Sequence, residues 1–260
     1  MLKIIDLLLL GYGAMGAALE HHWGNNCKIT TIDPNNSHCL KGPEDLPSSY
    51  NPDCIVFAVK PQNLAEIVPL YQKFCNQKCL FISVAAGIDL KFYQKILSEK
   101  AQIVRVMPNL TIMVGQGMTA LFASDTVDQD NKDIAETLFN IAGKTVWLED
   151  EALMDAVTAI SGSGPAYFYW LVECLTIAGE KLGLPFDMAE KLARQTAIGA
   201  GAMLEQSSYS AATLRQQVTS PNGTTAAALD VLQTEFKASI EQATQAAFKR
   251  SKELAISVER

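Results

Sequence analysis

The chain is poor in histidine, with His21, His22 and His38 alone among 260 residues. Cys75 and Cys79 are four apart, but no Cys or His cluster follows to complete a zinc site, so no metal centre is expected. Six cysteines (Cys27, Cys39, Cys54, Cys75, Cys79, Cys174) are scattered through a chain too long to need disulfide staples. They read as reduced, mostly buried thiols, hence a cytoplasmic protein. Cations are the minority: 21 Lys and Arg face 28 Asp and Glu, a net charge of −7. That argues against a nucleic-acid partner, though a small anion needs only a local positive field. No run approaches the ~20 apolar residues that span a bilayer, so no membrane partner is expected. Met1-Leu2-Lys3 and the apolar stretch behind it outline a secretion signal, but Asp6 interrupts it. Repeats and low-complexity segments are also missing.

What is present is enough for a large core, at 48% hydrophobic and 19% charged residues. The first half alternates short apolar runs with helical patterns. Strands are predicted at Lys3–Leu10, Lys28–Ile32, Cys54–Val59, Cys79–Val84, Ile103–Val106, Met118–Ala123 and Thr145–Leu148. Helices are predicted at Ala14–His22, Asn63–Phe74, Leu90–Leu97 and Asp128–Ile141. This alternation implies an α/β fold with a parallel sheet covered on both faces. From Asp150 onward only helices are predicted: Leu153–Ile160, Ala166–Leu182, Ala189–Leu204, Ala211–Val218, Thr224–Gln233 and Lys237–Ala255. Ala166–Leu182 is apolar around most of its circumference (Tyr167, Phe168, Trp170, Leu171) and must be buried, most simply against a second subunit. The expected organisation is a Rossmann-like dinucleotide-binding domain at 1–149 and an all-α dimerisation domain at 150–260, in a homodimer or a larger oligomer of dimers.

Gly11-Tyr12-Gly13-Ala14-Met15-Gly16 is a Gly-x-Gly-x-x-Gly turn between a strand and a helix. Gly11 permits the tight turn, Gly13 lets a pyrophosphate approach the backbone, and Gly16 allows helix and strand to pack closely. Asp33 ends the second strand, where an acid bonds a ribose 2′-hydroxyl and repels a 2′-phosphate. This leans toward NADH without excluding NADPH, because Lys41 is near. Later strand ends carry Lys60-Pro61, the small residues Val84-Ala85-Ala86-Gly87, and Pro108-Asn109. A small-residue loop beyond a strand leaves room for a flat ring.

Thr219-Ser220-Pro221-Asn222-Gly223-Thr224-Thr225 runs into the apolar segment Ala226–Gln233. Ser220 can cap a helix there, and Pro221 can take its first position. Free N–H groups and the helix dipole at such a terminus attract anions. The histidines read as surface residues, and the helical half offers no obvious acid–base residue. Reducing a ketone normally uses a proton donor, whereas a protonated imine brings its own proton.

Together, Ala58-Val59-Lys60-Pro61, Ser83-Val84-Ala85-Ala86-Gly87, Asp155–Tyr167 with its Ser-Gly-Ser-Gly-Pro-Ala core, and Val218–Thr225 resemble the pyrroline-5-carboxylate reductases over nearly the whole chain. The resemblance implies reduction of 1-pyrroline-5-carboxylate to L-proline with NADPH or NADH. Leu10, Gly11, Tyr12, Gly13, Ala14 and Met15 would hold the cofactor, with Ala58–Pro61 (Ala58, Val59, Lys60, Pro61), Val84, Ala85 and Ala86. Asp33 and Asn109 join them from the reading of strand ends. Ala86, Gln217, Ser220, Gly223, Thr224 and Thr225 would hold the substrate, facing the nicotinamide bound by the partner subunit. Thr225 matches the threonine that bonds the ring nitrogen and is the catalytic candidate. Ser161–Pro165 reads as a helix N-terminus packed closely against another backbone at the bottom of the site. Three positions depart from the family pattern: Ala14 replaces a polar residue, Asp6 interrupts an apolar strand, and Asn222 stands where a second Gly is common. Two rival readings are a hydroxyacid dehydrogenase of similar plan, which would want a lysine base in the helical half, and a cofactor-sensing module without turnover.

Overall fold

The computed structural model describes residues 4–75 and 78–258, with side chains through residue 254. Two compact units are defined, one running to Ser163 and taking in the chain again from Ala247, the other Gly164–Ala246.

The first unit is built on a seven-stranded sheet. Its strands are β1 (Ile5–Leu10), β2 (Cys27–Ile32), β3 (Cys54–Phe57), β4 (Leu80–Ser83), β5 (Gln102–Met107), β6 (Gly117–Ala123) and β7 (Gly143–Trp147). Their order is β2-β1-β3-β4-β5-β6-β7. Continuous apolar sequence suits strands buried on both faces. Leu7, Leu9, Val56, Ile82 and Val104 pack into one core layer, while Leu8, Leu10, Ile55, Phe57 and Phe81 pack into the other. The first layer is closed by α1 (Ala14–Trp23), whose Trp23 indole donates to the Leu138 carbonyl at 2.6 Å. Because β1 lies between β2 and β3, chain order reverses there and a crevice opens beyond the strands' carboxyl ends.

The sheet departs from the expected all-parallel arrangement. β6 runs antiparallel to β5, with Val104 opposite Ala123 and Met107 opposite Ala120. Residues 108–116 are too few for the helical crossover that a parallel pair requires. Lys3, expected in β1, lies outside the described residues. The helix expected at Asn63–Phe74 is a single turn, α2 (Leu64–Ile67), followed by 3-10 geometry at Val68–Phe74. Pro69 lacks the N–H that an α-helix would use there. α3 (Leu90–Ile96) and α4 (Gln129–Asn140) are each capped by an aspartate, Asp89 and Asp128. The unit also runs beyond the 149/150 boundary expected from the sequence. It includes α5 (Met154–Val157) and a π-turn at Thr158–Gly162. Glu151, paired with Arg105 of β5, and Ser161, bonded to Asn109, tie this stretch to the sheet. Ser251 donates to Asp155 at 2.6 Å and ties the returning chain to it as well.

The second unit is helical: α6 (Gly164–Lys181), α7 (Phe186–Gln206), α8 (Ala211–Gln217) and the greater part of α9 (Thr224–Val258). α6 and α7 approach closely at Gly179, where an added Cβ would stand 3.0 Å from that of Ala189. The two helices expected at Thr224–Gln233 and Lys237–Ala255 are one. Thr234-Glu235-Phe236 holds neither Gly nor Pro to break it. The apolar side chains of α6 are not covered within one chain, since Phe168, Tyr169 and Trp170 are each 59–66% exposed.

Candidate functional site

The glycine turn sits at the mouth of the crevice. Gly11 has φ +96°, and a Cβ there would stand 2.6 Å from the Ala58 carbonyl oxygen. Gly16 lies against the turn itself: an added Cβ would meet the Gly11 carbonyl at 2.1 Å. A Cβ added at Gly13 would have nothing within 4 Å. Gly13 is the N-cap of α1 and offers no side-chain cap, so the first turn of that helix keeps its N–H groups for another partner. An open, uncapped helix start beside a glycine turn fits a pyrophosphate.

Tyr12, the variable residue of the turn, is held at both ends. Its N–H donates to Asp33 Oδ2 at 2.8 Å, and its hydroxyl donates to Glu20 Oε2 at 2.5 Å. Asp33 Oδ1 accepts the Asn35 N–H at 2.8 Å, which fixes the carboxylate at the end of β2. The second Glu20 oxygen accepts the Thr31 hydroxyl at 2.8 Å. The Tyr12 phenol is pushed up, first by its bond to Glu20 and then by burial. It therefore stays protonated and donating across the neutral range. Sequence reasoning missed Glu20. An acid in the second half of a helix reads as a solvated charge, and only the turn of α1 brings it to the Tyr12 hydroxyl.

Ala58 and Val59 follow β3 and back the glycine turn, while Lys60 is exposed and Pro61 opens a 3-10 turn. After β4, Val84 and Ala86 are half-buried and Ala85 is buried. Buried Ser83 accepts the Ala85 N–H at 3.2 Å and shares a short hydrogen bond with the Tyr93 hydroxyl. The small-residue loop thus rests on a rigid polar floor. Asn109 is buried, and its side chain is largely committed to the protein. Its Nδ2 donates to the Ser161 carbonyl at 3.1 Å; its Oδ1 accepts from Met118 N at 3.1 Å and from the Thr111 hydroxyl at 2.6 Å. Gly162 approaches a side chain rather than a backbone, since an added Cβ would stand 2.5 Å from Met107 Cε. His22 is half-buried rather than a surface residue, and its Nε2 is shut from solvent without a partner. Packing of α1 against the 3-10 turn at Leu110–Val114, where His22 meets Gly115, is the reason.

In the second unit, the polar loop precedes α9 rather than forming its first turn. Gly223 N–H donates to the Ser220 carbonyl at 3.0 Å, closing a turn with Pro221 and Asn222 at its centre. Ser220 and Pro221 are therefore turn residues, not the cap and first position of the helix. Asn222 has φ +56°, the one positive φ at a non-glycine among the described residues. Pro then a left-handed residue is the type II arrangement, and Asn tolerates it without glycine. An added Cβ on Gly223 would strike Ser220 Oγ at 2.3 Å. Thr224 opens α9; Thr225 is half-buried, Ser220 and Gln217 are exposed. The loop thus gathers three hydroxyls beside a helix N-terminus.

The remaining departure, Asp6, sits far from this chemistry. It lies at the start of β1, bound to Lys28 at 2.6 Å and accepting from the Tyr50 hydroxyl at 3.1 Å. Among the described residues there is no His, Cys, Asp or Glu cluster that could hold a metal, and no helix long and apolar enough to cross a membrane.

A glycine turn at a topological switch point, with an acid ending the second strand, defines the class: a dinucleotide-dependent oxidoreductase with a Rossmann-type cofactor domain. Comparison with known proteins narrows it. Residues 151–254 match the family model for pyrroline-5-carboxylate reductase dimerisation. The chain is 43% identical over 204 residues to pyrroline-5-carboxylate reductase of Pseudomonas aeruginosa, covering 78% of this chain and 75% of that one. It is 41% identical to the Haemophilus influenzae enzyme over 210 residues, covering 80% and 77%. A solved pyrroline-5-carboxylate reductase from Coxiella burnetii superposes with a TM-score of 0.90 at 32% identity, over 97% of this chain and 99% of that one. The Plasmodium falciparum enzyme, solved with NADP bound, gives 0.84 at 30% identity, over 96% and 98%. The chain belongs to the pyrroline-5-carboxylate reductase family. Neither the hydroxyacid dehydrogenase nor the sensor reading is favoured.

Proposed function

We propose that the chain reduces the C=N bond of 1-pyrroline-5-carboxylate with NADPH or NADH, giving L-proline. Family membership carries the reaction; the hydroxyl-rich loop before α9 carries the assignment of substrate residues. When bound, the dihydronicotinamide supplies the hydride. Leu10–Met15, Asp33, Ala58–Pro61 and Val84–Ala86 are the proposed cofactor residues. Asn109 supports them from beneath through Ser161, Met118 and Thr111.

Ser220, Gly223 and Thr224, with the free N–H groups opening α9, hold the substrate carboxylate in this reading. Thr225 orients the ring nitrogen, and Ala86 and Gln217 are the remaining proposed substrate residues. No side chain need deliver a proton, because the protonated imine carries its own. Catalysis is positioning and electrostatics. Residues 1–149 serve the cofactor; 150–260 serve the substrate and pairing. The exposed Phe168, Tyr169 and Trp170 of α6 support pairing of two copies, at least as a homodimer, since monomers rarely leave such a patch open. Six free cysteines support a cytoplasmic location.

The test is steady-state oxidation of NADH and NADPH by purified protein supplied with pyrroline-5-carboxylate. Turnover that yields proline supports the reading. Cofactor binding without turnover would favour the sensor, and turnover with hydroxy acids instead would favour the dehydrogenase.

A further inference from the structure

Asp33 and Glu20 are joined through one residue. Tyr12 donates its N–H to the first and its hydroxyl to the second, at 2.8 and 2.5 Å. Thr31, two residues before Asp33, secures the other Glu20 oxygen at 2.8 Å. Tyr12, Glu20 and Thr31, though not Asp33, border a cavity of about 320 Å³, with Ser37, His38 and Cys39 among its other lining residues. It lies beside the carboxyl end of β2, where this class of fold receives the adenosine ribose.

Two basic side chains, Lys41 and His38, stand near the two acids. Lys41 Nζ is tied to the backbone carbonyls of Asn36 and Pro34 at 2.7 and 3.2 Å. His38 is exposed on the cavity wall. The Cys39 thiol is pushed up by burial first, then by Asp33 and by Glu20, with Lys41 the last and opposing influence. Among the residues lining the cavity Glu20 is the carboxylate, and none is Lys or Arg.

We infer that Glu20, held by Tyr12 and Thr31, is a specificity-determining residue that joins Asp33 in disfavouring a 2′-phosphate, so that the chain prefers NADH to NADPH. The inference rests on the proposed binding of a nicotinamide dinucleotide at the glycine turn. Asp33 answers the ribose hydroxyl. Glu20 adds a second fixed negative charge that no ribose hydroxyl needs and that a dianionic phosphate must approach. Its effect runs through charge, so Gln, which keeps an acceptor for the Tyr12 hydroxyl, removes the effect and keeps the scaffold.

The experiment is calorimetric titration of the full chain with NADH and with NADPH at pH 8, where the 2′-phosphate is dianionic. Wild type is expected to bind NADH about tenfold or more tighter, and Glu20→Gln to tighten NADPH about fivefold with NADH nearly unchanged, as expected for one charge across partly solvated space. A second measurement needs no variant. Raising salt from 0.02 to 0.5 M screens repulsion, so NADPH must gain on NADH; a basic phosphate site would make it lose. Equal affinities in wild type, a Glu20→Gln shift shared by both cofactors, or NADPH losing ground in salt each overturn the inference while leaving the cofactor reading intact. Binding of neither cofactor to wild type overturns that reading, and this inference with it.

Discussion

Arg105 Nη1 lies 2.5 Å from Glu151 Oε1, and that same oxygen accepts the Leu90 N–H at 2.8 Å. One carboxylate thus fastens three elements: β5, the start of α3 and the stretch that follows β7. The Arg105 side chain is only 7% exposed, against 25% for Glu151. Removing the buried partner strands a half-buried carboxylate, at about 2–3 kcal/mol, less than for a fully buried pair. Arg105→Met should lower the melting temperature by about 5–10 °C. Glu151→Gln keeps its acceptor and should cost about 1 kcal/mol. Thermal melts of both variants check this, and an Arg105→Met protein that melts like wild type contradicts it.

Gly13 and Gly16 make opposite predictions from one motif. Gly13→Ala meets nothing within 4 Å and keeps an ordinary φ of −76°, so it should fold and melt as wild type. It should weaken dinucleotide binding about tenfold or more by filling the open face of the turn. Gly16→Ala drives a Cβ into the Gly11 carbonyl and should lose stability by about 3 kcal/mol or more. Melting curves paired with cofactor titration separate the two. If Gly13→Ala binds NADH and NADPH normally, the turn is not where the pyrophosphate sits.

Thr225→Ala should reduce kcat/KM for pyrroline-5-carboxylate about tenfold or more. Cofactor affinity and melting temperature should stay near wild type. Thr225→Ser keeps a hydroxyl and should recover most of the rate. Unchanged kinetics in the alanine variant would remove Thr225 from the mechanism.

At the far end of β1, the Tyr50 phenol is pushed up to about 12, first by burial. A phenol raised above its ordinary value near 10 is harder to ionise in the folded chain. Its contribution is intact below pH 10 and is lost as pH rises toward about 12. Melting temperature measured across that window should fall more steeply in wild type than in Tyr50→Phe. Parallel curves would show that Tyr50 plays no part in alkaline unfolding.

Periodicity and motif made most of the architecture legible in advance: the βαβ unit, the glycine turn and the helical second half all follow from local patterns. Three features escaped because they are decided by tertiary geometry. The short 108–116 connection turned β6 antiparallel. A helix without a breaker ran through Phe236. The ion pair from Arg105 to Glu151 drew residues past 149 into the first unit. Of the proposed site residues, Tyr12, Asp33 and the Ser220–Thr225 loop were legible from residue type and spacing. Glu20 and Tyr93 were not, since each matters only for what the fold sets beside it. Asn222 shows the reverse: it stands where the family commonly has a second Gly, and Asn tolerates the left-handed φ of +56° found there.

The most direct test of the central claim follows the hydride itself. NADH or NADPH deuterated at the transferring position of the nicotinamide ring, incubated with the protein and pyrroline-5-carboxylate, should give L-proline carrying one deuterium at Cδ, the former imine carbon. Proline without the label, label at Cα, or no proline from either cofactor would contradict the account.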